Sequence, residues 1–241
     1  MKPFRPGLPL QPLLLALLLL LSPLGPVACK ATPPAPEQGC GRSGVPCLKG
    51  TAVVELKTSK GEVQLTLNGD AAPLTAGNFV DLVRRGVYNG TVFHRVVREP
   101  TPFVVQGGDP QSIDPLIPID RLGAGDYVDP ATGQQRQIPL EIFLEGEAAP
   151  RYSQLAAGPS QLTRLKLSHK RGALAMARSE APDSASAQFY IALQPLPELD
   201  GRYAVFGEVS RGMDVVDRIR QGDRVLSARV VSGGTLVQDR P

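Results

Sequence analysis

The chain has 241 residues, with 26 Lys and Arg against 23 Asp and Glu, 24 Pro, 25 Gly and no Trp. Ten of the prolines, five of the basic residues and one acidic residue lie in residues 1–50, so residues 51–241 carry 21 basic and 22 acidic residues. A body this close to neutral excludes a broad basic face for nucleic acid, and the length allows about one domain.

The N-terminus has the pattern of a secretory signal. Lys2 and Arg5 precede an unbroken apolar run of nine residues, 13–21, which small and helix-breaking residues then end. Nine residues are too few to span a bilayer, which takes about 20. We therefore predict a signal peptide over residues 1–28 and export to a periplasm or a thylakoid lumen.

Three cysteines follow this segment. Cys40 and Cys47 flank a short Gly-rich stretch that could close as a disulfide, which leaves Cys29 over. Cys29 follows Val27-Ala28, a pattern similar to the end of a bacterial lipobox, although Pro26 replaces the usual Leu. Two alternatives stay open: a lipidated Cys29 that tethers the protein to a membrane, or ordinary cleavage with a free or intermolecular Cys29.

Residues 29–50 are rich in Pro and Gly and have almost no large apolar side chains, so they predict a linker that buries no core. The folded domain is then expected over residues 51–241. Its first elements are a hairpin, since 52–57 and 62–67 alternate apolar and polar residues around a Gly-containing turn. A helix follows between Pro73 and Gly86, where apolar residues recur at i, i+3 and i+4.

The remaining pattern predicts short strands and one more helix. The strands are expected at 92–97, 103–106, 173–177, 188–193 and 203–209, with a helix from Met213 to about Arg220 and a final strand pair near 225–238. Many short strands with two helices are typical of a mainly β fold, a closed antiparallel barrel capped by the two helices.

Residues from about 110 to 170 form a poorly patterned insert with seven prolines. Only 137–143 indicates regular structure there. Long irregular segments in compact domains are often functional loops, so one interpretation makes the insert a docking surface for a partner.

Conventional catalytic apparatus is missing from the sequence. The two histidines, His94 and His169, stand in no metal-ligand pattern, and the predicted domain contains no Cys. A hydrogen-bonded structural role is the plainer interpretation of each histidine. No Ser stands in a nucleophile elbow, and Gly107-Gly108-Asp109 is too short for a phosphate loop. We predict no metal and no cofactor.

Five short motifs nevertheless stand in a distinctive order. They are Phe93-His-Arg-Val-Val97, Phe103-Val-Val-Gln-Gly-Gly-Asp109, Gly172-Ala-Leu-Ala-Met-Ala177, Ser186-Ala-Gln-Phe-Tyr-Ile191 and Leu199-Asp-Gly-Arg-Tyr-Ala-Val-Phe-Gly207. Together they resemble the cyclophilin family of peptidyl-prolyl cis-trans isomerases over about residues 52–238. The amino-acid sequence of the insert resembles that of bacterial members, cyanobacterial ones among them.

The chemistry of such an isomerase suits a site without a nucleophile or metal. An Xaa-Pro bond interconverts slowly because amide resonance sets a barrier of about 18–20 kcal/mol. The twisted transition state loses that resonance, and its nitrogen gains a lone pair. A catalyst therefore needs an apolar pocket for the proline ring and a fixed donor aimed at that lone pair.

The resemblance assigns these tasks to particular residues. It implies that Arg95 is the main catalytic residue, with its rigid, charged fork against the prolyl nitrogen, and that Gln106 binds the substrate carbonyl and helps to hold Arg95. The substrate-binding residues that it implies are Phe103, Val104, Ala177, Arg178, Gln188, Tyr190, Leu199 and Tyr203.

Several positions depart from the family pattern. Seven residues separate Arg95 from Phe103, which is longer than usual and requires the intervening loop to bulge outward. The less usual residues in the binding set are Val104 for Met, Arg178 for Asn, Tyr190 for Phe and Tyr203 for His. Glu198 stands where many eukaryotic members carry the Trp whose indole binds the inhibitor cyclosporin, so we expect weak cyclosporin binding.

The sequence thus predicts a monomeric prolyl isomerase that acts on proline-containing polypeptides, without nucleic acid or cofactor, and assists the folding of exported proteins. The alternative is a cyclophilin-fold peptide-binding module or chaperone with little turnover.

Overall fold

A computed structural model of the chain describes residues 39–40 and 44–238. The signal peptide predicted over residues 1–28, the alternatives at Cys29 and the linker as far as residue 38 lie outside the described residues. Within the part of the chain that is described, no helix is both long and apolar enough to cross a membrane.

Strands make up most of the regular structure. In chain order the described residues form β1 (Cys47–Leu48), β2 (Thr51–Thr58), β3 (Gly61–Asn68), β4 (Arg95–Val96), β5 (Val104–Gly107), β6 (Glu141–Ile142), β7 (Arg151–Tyr152), β8 (Ala173–Met176), β9 (Phe189–Ala192), β10 (Val205–Arg211), β11 (Val225–Gly233) and β12 (Leu236–Val237). Eight of them form an antiparallel sheet in the order β11-β2-β3-β10-β8-β9-β5-β4, while β1–β12 and β6–β7 form two small sheets. The fold is mainly β, as the short apolar runs predict.

The described residues also form three α-helices, α1 (Pro73–Arg84), α2 (Pro159–Leu162) and α3 (Met213–Arg218). α1 and α3 correspond to the two helices predicted from apolar spacing. α2 is a single turn inside the insert, where the sequence shows no helical spacing. α3 ends before its predicted limit because Ile219 takes an extended conformation with φ −61° and ψ 137°.

The first hairpin has the predicted strands, with Thr58 opposite Gly61 and Thr51 opposite Asn68. Its alternating apolar residues face the core and are exposed by 1% or less: Val54, Leu56, Val63 and Leu65. α1 packs into the same core through Phe79, whose ring centroid lies 5.2 Å from that of Phe206 in β10.

The two edge strands of the large sheet, β4 and β11, are joined by bonds between residues 90–93, which precede β4, and residues 222–225, at the start of β11. The Gly90 N–H donates to the Val225 carbonyl at 2.7 Å, and the Val225 N–H donates to the Thr91 carbonyl at 2.8 Å. The Phe93 N–H donates to Asp223 at 2.8 Å. These bonds tie the edges together without a continuous ladder between β4 and β11.

The C-terminal strands do not pair with each other. β11 pairs with β2, and β12 pairs with β1, so the strand pair predicted near 225–238 is two strands with separate partners. β1 itself lies in the range assigned to the linker. Val45, Cys47 and Leu48 are buried at 5%, 2% and 1% exposure, so the last residues of that range differ from the linker prediction.

This N-terminal segment packs closely on α1. A Cβ added at Gly77 would lie 2.1 Å from the Pro46 carbonyl oxygen, so only glycine allows the approach. Cys40 and Cys47 form a disulfide. The core therefore includes apolar residues ahead of residue 50, because a short apolar trio is too brief to be recognised as a strand from its pattern.

The insert is interlocked with α1. The helix has no side-chain cap of its own, and the buried Glu141 of β6 replaces it. Glu141 accepts hydrogen bonds from the N–H groups of Leu74 and Thr75 at 3.1 and 2.8 Å and from the Tyr152 hydroxyl at 2.9 Å. The first N–H groups of a helix lack intrahelical partners, so a carboxylate from the insert satisfies two of them.

Candidate active site

The β4–β5 hairpin sets Arg95 directly opposite Gln106. Residues opposite each other on neighbouring strands share a face, so their side chains meet. Arg95 Nη1 donates to Gln106 Oε1 at 3.3 Å, and the guanidinium carbon lies 5.6 Å from the centroid of the Phe103 ring. A cation, an amide and an aromatic ring therefore meet at one point.

The loop between Arg95 and Phe103 leaves the hairpin, as its length predicts. The Val97 N–H donates to the Val104 carbonyl at 2.9 Å, and the Phe103 N–H donates to the Val97 carbonyl at 3.0 Å. Beyond this point residues 99–102 are exposed. The extra residues thus extend into solvent while Arg95 and Phe103 still reach the same pocket.

This pocket has a volume of about 290 Å³. Its lining residues are Arg95, Phe103, Val104, Gln106, Ala177, Arg178, Tyr190, Leu199 and Tyr203. The structure therefore brings together every residue that the resemblance assigned to catalysis or substrate binding except Gln188. Gln188 lies in an adjoining depression of about 110 Å³ that shares Gln106, Ala177 and Arg178 with the pocket.

The pocket has an apolar floor and a polar rim. Val104 and Tyr190, at 2% and 4% exposure, belong to a small apolar cluster against which Phe103 and Leu199 pack. Arg95 stands exposed at the rim. A small hydrophobic ring fits such a floor, while its polar neighbours stay within reach of the guanidinium.

A second glutamine fixes the orientation of the Gln106 amide. Gln106 Nε2 donates to Gln188 Oε1 at 3.2 Å, and Gln188 Nε2 donates to the Gly125 carbonyl at 3.0 Å. With its NH₂ group engaged in this way, Gln106 turns its carbonyl oxygen toward Arg95. The sequence did not predict that a carbonyl of the insert ends this chain.

Asp109 holds that part of the insert in place. Its Oδ2 accepts hydrogen bonds from the N–H groups of Gly123 and Gly125 at 2.6 and 3.2 Å. A Cβ added at Gly125 would lie 2.1 Å from Asp109 Oδ1, so this approach requires glycine. The Gly-Gly-Asp motif, too short to bind phosphate, instead anchors a loop beside the site.

Arg178 is engaged by the protein itself. Its Nε and Nη2 donate to the Arg202 carbonyl at 2.9 and 2.8 Å, and its Nη1 donates to the carbonyls of Ser179 and Glu180 at 2.7 and 3.0 Å. Its guanidinium carbon lies 4.6 Å from the centroid of the Tyr203 ring. Arg178 therefore builds the rim rather than presenting donors there.

The two histidines occupy different places. His94 is buried outside the pocket lining, and burial lowers the pKa of its ring. His169 lies behind the pocket floor, with Nε2 2.8 Å from the Tyr190 hydroxyl and Nδ1 2.8 Å from Asp200 Oδ1. Burial lowers the pKa of His169 as well, although Asp200 opposes the change. The sequence analysis did not predict this contact; the only feature that could have indicated it is that Asp200 stands inside the last motif.

Among the described residues, no group of three or more His, Cys, Asp or Glu side chains is placed to hold a metal ion.

Comparison with known proteins gives a consistent picture. A family model described as cyclophilin type peptidyl-prolyl cis-trans isomerase/CLD matches residues 53–238. A putative thylakoid lumen peptidyl-prolyl cis-trans isomerase from Synechocystis is 39% identical over 201 residues, which cover 79% of this chain and 50% of that protein. The chloroplastic peptidyl-prolyl cis-trans isomerase CYP38 of Arabidopsis thaliana is 37% identical over 213 residues, or 78% of this chain and 44% of that protein.

The chain thus spans about half the length of these two relatives. A peptidyl-prolyl cis-trans isomerase of Helicobacter pylori is closer in size, at 34% identity over 73% of this chain and 85% of that protein. Among solved structures, a Cryptosporidium parvum cyclophilin type isomerase matches with a TM-score of 0.56, covering 76% of this chain and 99% of that one at 22% identity. This last likeness concerns the fold.

Proposed function

The chain belongs to the family of cyclophilin-type peptidyl-prolyl cis-trans isomerases, and on that premise we propose that it accelerates cis-trans isomerisation of Xaa-Pro bonds in exported polypeptides and so assists their folding. The observation that carries the proposal is the apolar pocket with the Arg95–Gln106 pair at its rim. It supplies both requirements of the reaction, a seat for the proline ring and a fixed cationic donor.

The mechanism follows from the loss of amide resonance. With the proline ring seated on Phe103, Tyr190 and Leu199, the bond to the preceding residue twists at the rim. The lone pair that develops on the prolyl nitrogen accepts a hydrogen bond from Arg95, a bond that the planar ground state cannot form. Because Gln106 and Phe103 already hold the guanidinium, little reorganisation accompanies this stabilisation.

The other residues contribute binding. We assign Gln106 to the substrate carbonyl as well as to Arg95, and Gln188 and the backbone at Ala177 and Arg178 to the residues that precede proline. Val104 and Tyr203 complete the walls of the pocket. This division places the polar contacts on one side of the Xaa-Pro peptide bond, about which rotation occurs, and the apolar contacts on the other.

The setting of the domain is part of the proposal. The thylakoid and chloroplast relatives support export, with a signal peptide over residues 1–28 and either lipidation or ordinary cleavage at Cys29. We place the start of the folded domain near residue 44, ahead of β1. We also propose a monomer in which the bonds between residues 90–93 and 222–225 complete a barrel capped by α1 and α3.

A protease-coupled assay on an Xaa-Pro peptide tests the function. Arg95→Ala should lower kcat/KM by about 10²–10³, the cost of removing a main electrostatic donor. Arg211→Ala is the matched control, since Arg211 is an exposed arginine at the end of β10 and away from the pocket. Equal rates for native protein and Arg95→Ala would overturn the catalytic role. Peptide binding without turnover would favour the peptide-binding module instead.

A further inference from the structure

A chain of polar groups lies behind the floor of the pocket. Asp200 Oδ1 lies 2.8 Å from His169 Nδ1 and accepts the His169 backbone N–H at 2.8 Å. On the other side of the imidazole, Nε2 lies 2.8 Å from the Tyr190 hydroxyl. The His169 and Tyr190 rings are stacked, with centroids 5.9 Å apart and an angle of 11° between their planes.

The protonation pattern of this chain is determined by its ends. The Asp200 carboxylate only accepts, so His169 Nδ1 carries a hydrogen and donates it. Neutral imidazole then has its lone pair on Nε2, which accepts the hydrogen of the Tyr190 hydroxyl. The His169 side chain is fully buried and Tyr190 is 4% exposed, so the two groups satisfy each other where water does not reach.

The hydrogen bonds from Asp200 through His169 to Tyr190 link two walls of the pocket. Tyr190 is in β9, whereas Asp200 follows Leu199 in the 3-10 turn Pro197–Leu199. The His169 carbonyl also accepts the Leu196 N–H at 2.8 Å, ahead of that turn. One residue outside the pocket lining therefore bonds to the floor and to both ends of the turn that carries Leu199.

We propose that His169 is a positioning residue of the proline pocket, which holds the Tyr190 floor and the Leu199 wall at the separation that a prolyl ring requires. The inference rests on the proposed function, because the ligand of the pocket is taken to be a prolyl ring. The Tyr190 hydroxyl makes this bond to His169 at a position where phenylalanine, which has no hydroxyl, is usual in the family.

A double-mutant cycle on the full chain tests this. His169→Leu leaves the Tyr190 hydroxyl without an acceptor in an apolar site, and the Kd of a short Xaa-Pro peptide should rise about tenfold. Tyr190→Phe should raise the Kd less. The double variant should bind no worse than His169→Leu alone, because it removes both ends of one bond. Additive losses, or an unchanged Kd in His169→Leu, would overturn the inference.

Tyr152→Phe is the matched control for a purely structural effect. Like Tyr190→Phe, it removes one tyrosine hydroxyl, here the hydroxyl that donates to Glu141. Neither Tyr152 nor Glu141 lines the pocket. It should lower the free energy of unfolding and leave the peptide Kd unchanged. A Kd that follows stability in all variants, this control included, would also contradict a positioning role.

The pH dependence of binding gives a second readout. Asp200 and the Tyr190 hydroxyl contact His169 directly, and Glu198 of the turn acts on it electrostatically. Tyr203 packs edge-on against Tyr190, and Arg178 acts on Tyr190 electrostatically. Protonated His169 donates from Nε2, so the Tyr190 hydrogen loses its acceptor. Because burial lowers the pKa of His169, the native Kd should rise as pH falls below about 6.5, the ordinary value for His.

The double variant Tyr190→Phe/His169→Leu should lose this part of the pH dependence while His94 remains in both proteins. An identical pH profile for the two proteins would overturn the inference alone. Native protein that neither binds nor turns over the peptide would overturn the proposed function, and the inference with it.

Discussion

At the residue scale, two arginines at one pocket have different uses because their surroundings differ. Arg178 donates four hydrogen bonds to three carbonyl groups and stacks on Tyr203, so its fork is engaged before substrate arrives. Arg95 donates one bond among the described residues, to Gln106. A guanidinium has five N–H donors, and most of those on Arg95 remain for a substrate. This difference supports Arg95, and not Arg178, as the proposed catalytic group.

Glu198 makes a testable difference from family members that carry Trp. It is exposed on the 3-10 turn beside Leu199, and its carboxylate has no indole donor to offer an inhibitor. We expect weak cyclosporin binding by the native protein. Glu198→Trp should bind about 30-fold more tightly, which corresponds to about 2 kcal/mol for a Trp anchor at an interface.

Isothermal titration with cyclosporin measures this, and Glu198→Gln is the control that removes only the charge. Nanomolar binding by the native protein would contradict the expectation. A gain in Glu198→Gln equal to that in Glu198→Trp would mean that charge, not the indole, sets the affinity.

At the element scale, α1 depends on the insert for its N-terminal cap. Glu141 accepts hydrogen bonds from two N–H groups of the first turn of α1, which lie 66 and 67 residues before it in the chain. It also accepts one from the Tyr152 hydroxyl. An insert with this contact is part of the fold, whatever else it binds. Arg136, also from the insert, forms an ion pair with Asp81 of α1 at 2.6 Å. The two contacts hold the insert to both ends of one helix face.

Glu141→Ala should lower the free energy of unfolding by about 2–4 kcal/mol, since it leaves buried donors without an acceptor. Urea denaturation followed by circular dichroism measures the change. Glu145→Gln, at an exposed position of the same insert, should stay within about 0.5 kcal/mol of the native value. Equal stability of Glu141→Ala and native protein would show that the cap contributes nothing.

At the scale of the whole molecule, residues 44–48, which include β1, pack with the folded domain. β1 pairs with β12, so the two ends of the domain meet in one small sheet, and the Cys40–Cys47 disulfide lies beside it. Closing a loop with seven residues of separation removes unfolded-state entropy worth about 2–3 kcal/mol.

Reduction of the protein should therefore lower its free energy of unfolding by about that amount. Guanidinium denaturation with and without reductant provides the measurement. Cys29→Ser keeps the disulfide and should behave like native protein under oxidising conditions. If reductant leaves the midpoint unchanged, the disulfide does not constrain the unfolded chain as expected.

Local periodicity was enough to predict the hairpin β2–β3 and the helices α1 and α3. One buried face imposes a period of two or of 3.6 on the sequence itself, so these elements are written in adjacent residues. The resemblance carried by the motif order likewise predicted the residues that line the pocket, although Gln188 lies in the adjoining depression. β1 and α2 escaped prediction because each is too short to show a period, and the partners of β11 and β12 lie far away in the chain.

The sequence by itself determined the family, the main elements and, apart from Gln188, which of the assigned residues line the pocket, because each depends on residue types in local order. Only the tertiary structure decided that Glu141 caps α1, that Arg178 is occupied by carbonyls, and that His169 joins Tyr190 to Asp200. Apart from the bonds of Arg178 to the neighbouring Ser179 and Glu180 carbonyls, these contacts link residues that are 21 to 67 positions apart in the chain. No local pattern records such a pair, since its energy exists only after the sheet and insert have brought the groups together.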